Sequence, residues 1–143
     1  MTRVLIVDDE PQVLATIKKY LIDEYEISTA EDARAALSLF QREMPAVVVT
    51  DIRMPGMDGI ELMRRLKGMG RDVEVIILTG HGDMQTAIES LRLGASDFLV
   101  KPIDVDSLKK AIEAALEKLS RKDRILGLIG KTMKEMDDKP RKG

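Results

Sequence analysis

Short apolar runs alternate along this chain with longer stretches in which apolar residues recur every three or four positions. The first run, Val4-Leu5-Ile6-Val7, reads as a strand. After Pro11, which suits the first turn of a helix, Val13, Leu14, Ile17 and Leu21 follow a helical period. Residues 26–29 form a weaker second strand, and Asp32 can cap a helix whose inner face is Ala33, Ala36, Leu37 and Phe40. Residues 47–50 are a third strand, and Ile60, Met63 and Leu66 mark a helix stopped by Gly68 and Gly70. Residues 75–78 are a fourth strand, followed by a helix on Ala87, Ile88 and Leu91 that ends at Gly94. A short fifth strand covers 98–100, and a long helical pattern begins near Val105. The polar, charged residues 131–143 predict a frayed tail.

Five strand–helix units in strict alternation predict an α/β fold. Parallel strands need crossovers, so the strands form a doubly wound parallel five-stranded sheet with helices on both faces. In such a sheet, ligands bind outside the carboxyl ends of the strands. The polar residues of this chain sit at those ends. "VVVTDIRMPGMDG", residues 47–59, runs a strand buried on both faces straight into Asp51, just before the turn at Pro55-Gly56. The first strand ends in Asp8-Asp9-Glu10, the fourth in Thr79 and the fifth in Lys101.

Carboxylates gathered in one place repel, so a positive charge must share the site. Oxygen ligands without histidine or cysteine favour a hard ion, Mg²⁺ or Mn²⁺. A metal, an ammonium and a hydroxyl around a carboxylate make a phosphoryl site, with Asp51 as nucleophile and an aspartyl phosphate as product. Taken singly, the acids could merely cap the next helix, Thr79 could be structural and Lys101-Pro102 a turn. Agreement at four strand ends favours the site.

Composition narrows the field. At 143 residues the chain suits one domain, divided here into 1–120 and an extended last helix, linker or tail at 121–143. Lys plus Arg is 23 against 25 for Asp plus Glu, so there is no basic field for direct nucleic-acid binding. The absence of cysteine excludes disulfides, zinc-thiolate sites and thiol nucleophiles. The first apolar run is too short for a signal peptide or a membrane span, and a cytoplasmic protein is expected. "VDDEPQ" lacks the Gly-rich loop of a nucleotide-binding domain. Met54 and Met57 read as loop packing.

The segments "VLIVDDE", "VVVTDIRMPGMDG", "VIILTGHGD" and "GASDFLVKPID" resemble the CheY-like receiver domain of two-component response regulators, over residues 2–120. The resemblance implies a flavodoxin-like (βα)5 fold with strand order 2-1-3-4-5. It implies Mg²⁺-dependent phosphorylation of Asp51 by a sensor histidine kinase, in a signalling domain that is no enzyme but assists its own phosphorylation and dephosphorylation. By that analogy Asp9, Asp51 and the backbone carbonyl of Arg53 ligate the metal, and Asp8 acts largely through water. Lys101 contacts the phosphoryl group and pairs with Asp51 when it is empty. Thr79 moves to hydrogen-bond the phosphoryl oxygen, Phe98 swings inward behind it, and Pro102 follows a cis peptide bond. Ile103 departs from the commoner phenylalanine after Lys-Pro.

"LTGHGD" and "GASDFLVKP" are most similar to receivers at the front of enhancer-binding transcription activators, which implies phosphorelay output to transcription. "LIGKTMKEM", residues 128–136, resembles the start of those activators' ATPase domain, and the chain is either a stand-alone regulator or the front of a longer one. Arg53 and His81, each two residues past a site residue, either flank the path of an attacking water or are a solvated arginine and a loop histidine. Two other functions compete. Mg²⁺-dependent phosphatases that use an aspartyl phosphate carry a second aspartate where Arg53 stands, and a phosphorylation-independent scaffold leaves the converging acids unexplained.

The last helix carries one further pattern. From Leu108 the apolar spacing runs Ile112, Ala115, Leu119, then Lys122, then Leu126, Ile129, Met133 and Met136, alternating steps of four and three. This is coiled-coil spacing. Its first half must cover the sheet, and its second half predicts a homodimer through the last helix and its extension. Gly127 and Gly130 weaken that extension by about 1 kcal/mol each relative to alanine.

Overall fold

The computed structural model describes residues 1–137. The chain alternates strand and helix throughout: β1 (Arg3–Val7), α1 (Pro11–Leu21), β2 (Glu26–Ala30), α2 (Ala33–Glu43), β3 (Val47–Asp51), α3 (Gly59–Lys67), β4 (Glu74–Thr79), α4 (Met84–Arg92), β5 (Asp97–Val100) and α5 (Val105–Asp137). A 3₁₀ turn over His81–Asp83 leads into α4. The five strands form one parallel sheet in the order β2-β1-β3-β4-β5, as expected.

Alternation along each strand divides the core between the two faces of the sheet. Leu5, Val7, Val48, Val75 and Ile77 point into a cluster closed by α2, α3 and α4, with Phe40, Leu62, Met63 and Leu66 at its centre. Val4, Ile6, Val47, Val49, Ile76 and Leu78 point the other way, under Leu14, Ile17 and Leu21 of α1 and Leu108, Ile112 and Ala115 of α5. Each fully buried Leu or Ile contributes about 2 kcal/mol of transfer free energy. Asp32 caps α2 by accepting from the Ala35 amide at 2.8 Å, and Asp58 caps α3 through the Glu61 amide at 2.9 Å.

Two expectations need correcting. The inner face of α4 is Ala87 and Ser90, while Ile88 and Leu91 are more than 40% exposed. Small residues let this helix lie close to the sheet and turn its larger side chains outward, with the Ser90 hydroxyl satisfied by the Ala87 carbonyl at 2.5 Å. The tail is also not frayed from Lys131: α5 continues without a break to Asp137, and the rest of that expectation, residues 138–143, lies outside the described residues.

Where α5 leaves the domain it is tied by a buried acid. Glu74 opens β4 with no exposed surface, accepts a hydrogen bond from the Ser96 hydroxyl, and lies 3.6 Å from both Lys118 Nζ and Lys122 Nζ. Beyond this tie Ile125, Leu126, Leu128, Ile129, Met133 and Met136 are each at least half exposed.

Candidate functional site

Parallel register brings the carboxyl ends of β1, β3, β4 and β5 to one edge of the sheet. Asp8, one residue past β1, is fully buried, and Asp51 at the end of β3 is 7% exposed. Between them lies the ammonium of Lys101, one residue past β5. Its Nζ donates to Asp8 Oδ2 at 2.7 Å and to Asp51 Oδ2 at 3.2 Å, with Glu10 Oε1 at 3.7 Å. The expected Lys101–Asp51 pair is therefore present, but the shorter bond goes to Asp8, which the sequence reading did not pair with the lysine. Asp8 is anchored independently, because its Oδ1 accepts from the Glu10 amide at 2.9 Å.

The electrostatics follow from this crowding. Burial, and then the charge of Asp8, push the Asp51 carboxyl above the usual carboxylate range, with Lys101 acting in the opposite sense. Burial works against the Lys101 ammonium, but hydrogen bonds and charge from Asp8 and Asp51 outweigh it and hold its pKa above the ordinary lysine value. Asp51 is thus a carboxylate whose ionisation is opposed by its surroundings. Added positive charge, or transfer of its own charge onto an incoming group, would relieve it.

Asp8, Asp9 and Glu10 each present a carboxylate oxygen, all within 4.8 Å of one another. Asp51 stands outside this tight trio and joins it through Lys101. An all-oxygen donor set of this kind fits a hard divalent cation. Asp9 and Glu10 are exposed and Asp8 is buried, so the set opens to solvent on one side.

The remaining expected residues surround this centre. Thr79 ends β4 fully buried, and its Oγ1 donates to the Gly80 carbonyl at 3.1 Å. Phe98, half-buried in β5, packs against the cluster beneath α2–α4, opposite Ile77 of β4. The Lys101–Pro102 peptide bond is cis, as the resemblance implies. His81 is exposed in the 3₁₀ turn. Arg53 is the solvated arginine of one reading, its side chain 78% exposed, and its guanidinium pairs with Asp83, Nη2 to Oδ1 at 2.8 Å.

Sequence reasoning missed Asp83 and Gly59. Gly59 begins α3 directly against the backbone of Asp51, where a Cβ would lie 2.0 Å from the Asp51 carbonyl oxygen, and its amide donates to the Ile52 carbonyl at 2.8 Å. The only available signal was a glycine at the first position of a helix, where the conformation itself does not require one.

Among the described residues no helix is long and apolar enough to cross a membrane. The response regulator receiver domain family matches residues 4–113. The chain is 42% identical over 117 residues to the C4-dicarboxylate transport transcriptional regulatory protein DctD of Pseudomonas aeruginosa, a match covering 81% of this chain and 25% of that protein. It is 38% identical over 126 residues to the regulatory protein AtoC of Escherichia coli, covering 87% of this chain and 27% of the relative. It therefore spans about a quarter of the length of these curated relatives. A solved receiver domain from Clostridium thermocellum superposes with a TM-score of 0.80 at 36% identity, covering 84% of this chain and 98% of that one.

Proposed function

Since this chain belongs to the response regulator receiver domain family, we propose that Asp51 is where it accepts a phosphoryl group and that the resulting charge switches its conformation to pass on a signal. The observation that carries this reading is the Lys101 ammonium shared by two buried carboxylates at the sheet edge, Asp8 at 2.7 Å and Asp51 at 3.2 Å. An Asp51 oxygen attacks the phosphorus of a phosphohistidine on a sensor histidine kinase. The O–P bond forms as the N–P bond breaks, and the electron pair leaves with the imidazole. Lys101 then turns from Asp51 to the new phosphoryl oxygens while keeping its bond to Asp8, and the Thr79 hydroxyl exchanges the Gly80 carbonyl for a phosphoryl oxygen. Phe98 follows Thr79 inward.

Mg²⁺, with Mn²⁺ as a substitute, would be held by Asp9, Asp51 and the Arg53 carbonyl, with Asp8 behind a water, and would supply positive charge at the phosphoryl oxygens. The same groups serve hydrolysis, in which water attacks the acyl phosphate, so the domain assists both its phosphorylation and its dephosphorylation. Arg53 and His81 border that path and tune its rate. We assign the receiver to residues 1–120 and place it in the cytoplasm, where a kinase donor of this class is met. The output proposed is transcription, without direct nucleic-acid binding by this chain, since DctD and AtoC are regulatory proteins. The α5 extension, with apolar residues exposed on consecutive turns, is proposed to pair with a second copy of itself.

The test is chemical. Acetyl phosphate with Mg²⁺ is expected to add one phosphate, seen by intact mass, labile to hydroxylamine and absent in Asp51→Asn. A label that survives that substitution overturns the assignment.

A further inference from the structure

Three lysines from two helices gather around the buried carboxylate of Glu74, at the end of the sheet remote from Asp51. Glu74 is already committed. The Ser96 hydroxyl donates to it, and Lys118 Nζ and Lys122 Nζ of α5 each approach it to 3.6 Å. Lys67, the last residue of α3, is left over. It forms no ion pair among the described residues, and its Nζ donates to the Val73 carbonyl at 3.5 Å, a long and weak bond.

The Lys67 side chain is also held in place. Gly94, between α4 and β5, has a φ of +111° and lies against the lysine stem, where a Cβ would come within 3.1 Å of Cε and 3.3 Å of Cδ. Lys67 is half-buried, so its amine is fixed and still reachable from solvent. An ammonium in this setting gives up part of its hydration and faces two others. Burial above all, helped by the charges of Lys122 and Lys118, holds Lys67 below the ordinary lysine value, against the pull of Glu74 and Asp72. The neutral amine is the nucleophilic form, and this geometry favours it.

We propose that Lys67 Nζ, the unpaired amine of this three-lysine cluster, is a modification site that takes a small acyl group from an activated donor, an acyl phosphate or an acyl thioester. The nitrogen attacks the acyl carbon. An N–C bond forms as the C–O or C–S bond breaks, the electron pair leaves with phosphate or thiolate, and the amine proton passes to water. The product suits its surroundings. Its amide N–H can still donate to the Val73 carbonyl, and the loss of one cation leaves Glu74 to Lys118 and Lys122 without a third competitor. The site does not depend on the reading of Asp51 as phosphoacceptor.

The test incubates the full chain with acetyl phosphate, or separately with acetyl-coenzyme A, and reads acetylation lysine by lysine from peptide masses. Near neutral pH, Lys67 is expected to react about fivefold faster than the exposed Lys19 and Lys131, and its rate to level off at lower pH. An acetyl group differs in mass from a phosphate and its amide survives hydroxylamine, so labelling of Asp51 does not intrude. Two substitutions test control by charge. Lys122→Gln removes a repelling ammonium and is expected to slow Lys67 about twofold. Asp72→Asn removes an attracting carboxylate from an exposed position and is expected to speed it about twofold. If Lys67 reacts no faster than Lys19 and Lys131 with either donor, the site is overturned. If both substitutions change its rate in the same direction, access rather than charge governs the amine, and the proposal is again overturned. Faster reaction with one donor alone supports the site and tells which activated acyl group serves it.

Discussion

Gly59 faces the backbone of Asp51 so closely that a Cβ would lie 2.0 Å from the Asp51 carbonyl oxygen and 2.9 Å from its carbonyl carbon. Helix α3 is thus seated on the residue expected to carry the phosphate. Gly59→Ala must displace one or the other, and a cost of about 1–3 kcal/mol is expected in urea unfolding. Slower acetyl phosphate labelling should accompany it. Gly56→Ala makes the contrasting control: its φ of +81° strains any side chain, but nothing lies within 4 Å. Its cost should be about 1–2 kcal/mol with labelling unchanged. Equal labelling in both variants would show that seating α3 on Asp51 does not matter for the chemistry.

Asp51→Asn is expected to stabilise the fold at neutral pH by about 1 kcal/mol while abolishing the label. Burial and the Asp8 charge raise the Asp51 pKa, so the folded state holds that proton more tightly than the unfolded chain does. The stability this confers is complete below the unfolded aspartate value and is lost as pH rises through the raised folded value. Melting curves of the two proteins should therefore converge in acid and separate as pH climbs to neutrality. Separation in the opposite direction would contradict the repulsion.

Lys101→Met leaves the fully buried Asp8 carboxylate without its closest cation. A loss of about 3 kcal/mol is expected, much of it recovered when Asp8→Asn is added, because a buried charge without a partner is the main cost. Additive losses in the double-mutant cycle would mean that the two do not act as a pair.

Asp9→Asn should weaken Mg²⁺ binding and phosphorylation together, whereas Lys101→Met should retain most Mg²⁺ binding and impair phosphorylation. Calorimetric titration with Mg²⁺ alone distinguishes the two. Equal loss of metal in both variants would contradict separate roles.

The α5 extension gives a prediction about assembly. Light scattering is expected to find a dimer for the full chain and a monomer for a chain ending at Ser120. Gly127 and Gly130 have open space where a Cβ would go, so alanine at each should strengthen the extension by about 1 kcal/mol and tighten the dimer. Monomers throughout, phosphorylated or not, would remove dimerisation from the account.

Asp8, Asp51, Thr79 and Lys101 were legible because a parallel sheet sends every strand the same way, so residues at successive strand ends must meet. Which carboxylate Lys101 prefers was not, since that depends on rotamer and strand twist rather than on spacing. Arg53 and Asp83 lie 30 residues apart on two irregular segments, and no period links them. The apolar run starts at Val75, one residue after the strand does; Glu74 opens β4 because Ser96, Lys118 and Lys122 make its burial tolerable. The outward Ile88 and Leu91 misled for a related reason, since amphipathic reading favours large apolar residues over the small ones that allow close approach.

Lys101 reaches Asp8 across 93 residues of sequence and Asp51 across 50, from the end of a strand that pairs only with β4 at the sheet's edge. The centre therefore comes into being only when the last strand has docked. During folding, a chain with β1, β3 and β4 assembled still holds two mutually repelling acids with no cation between them, and contacts of such long range form late. Competence to take a phosphate is thus a report that the sheet has closed. Fraying of β5 in the finished protein would withdraw Lys101 before it disturbed any other part of the centre, and whatever occupies the centre holds that edge in place.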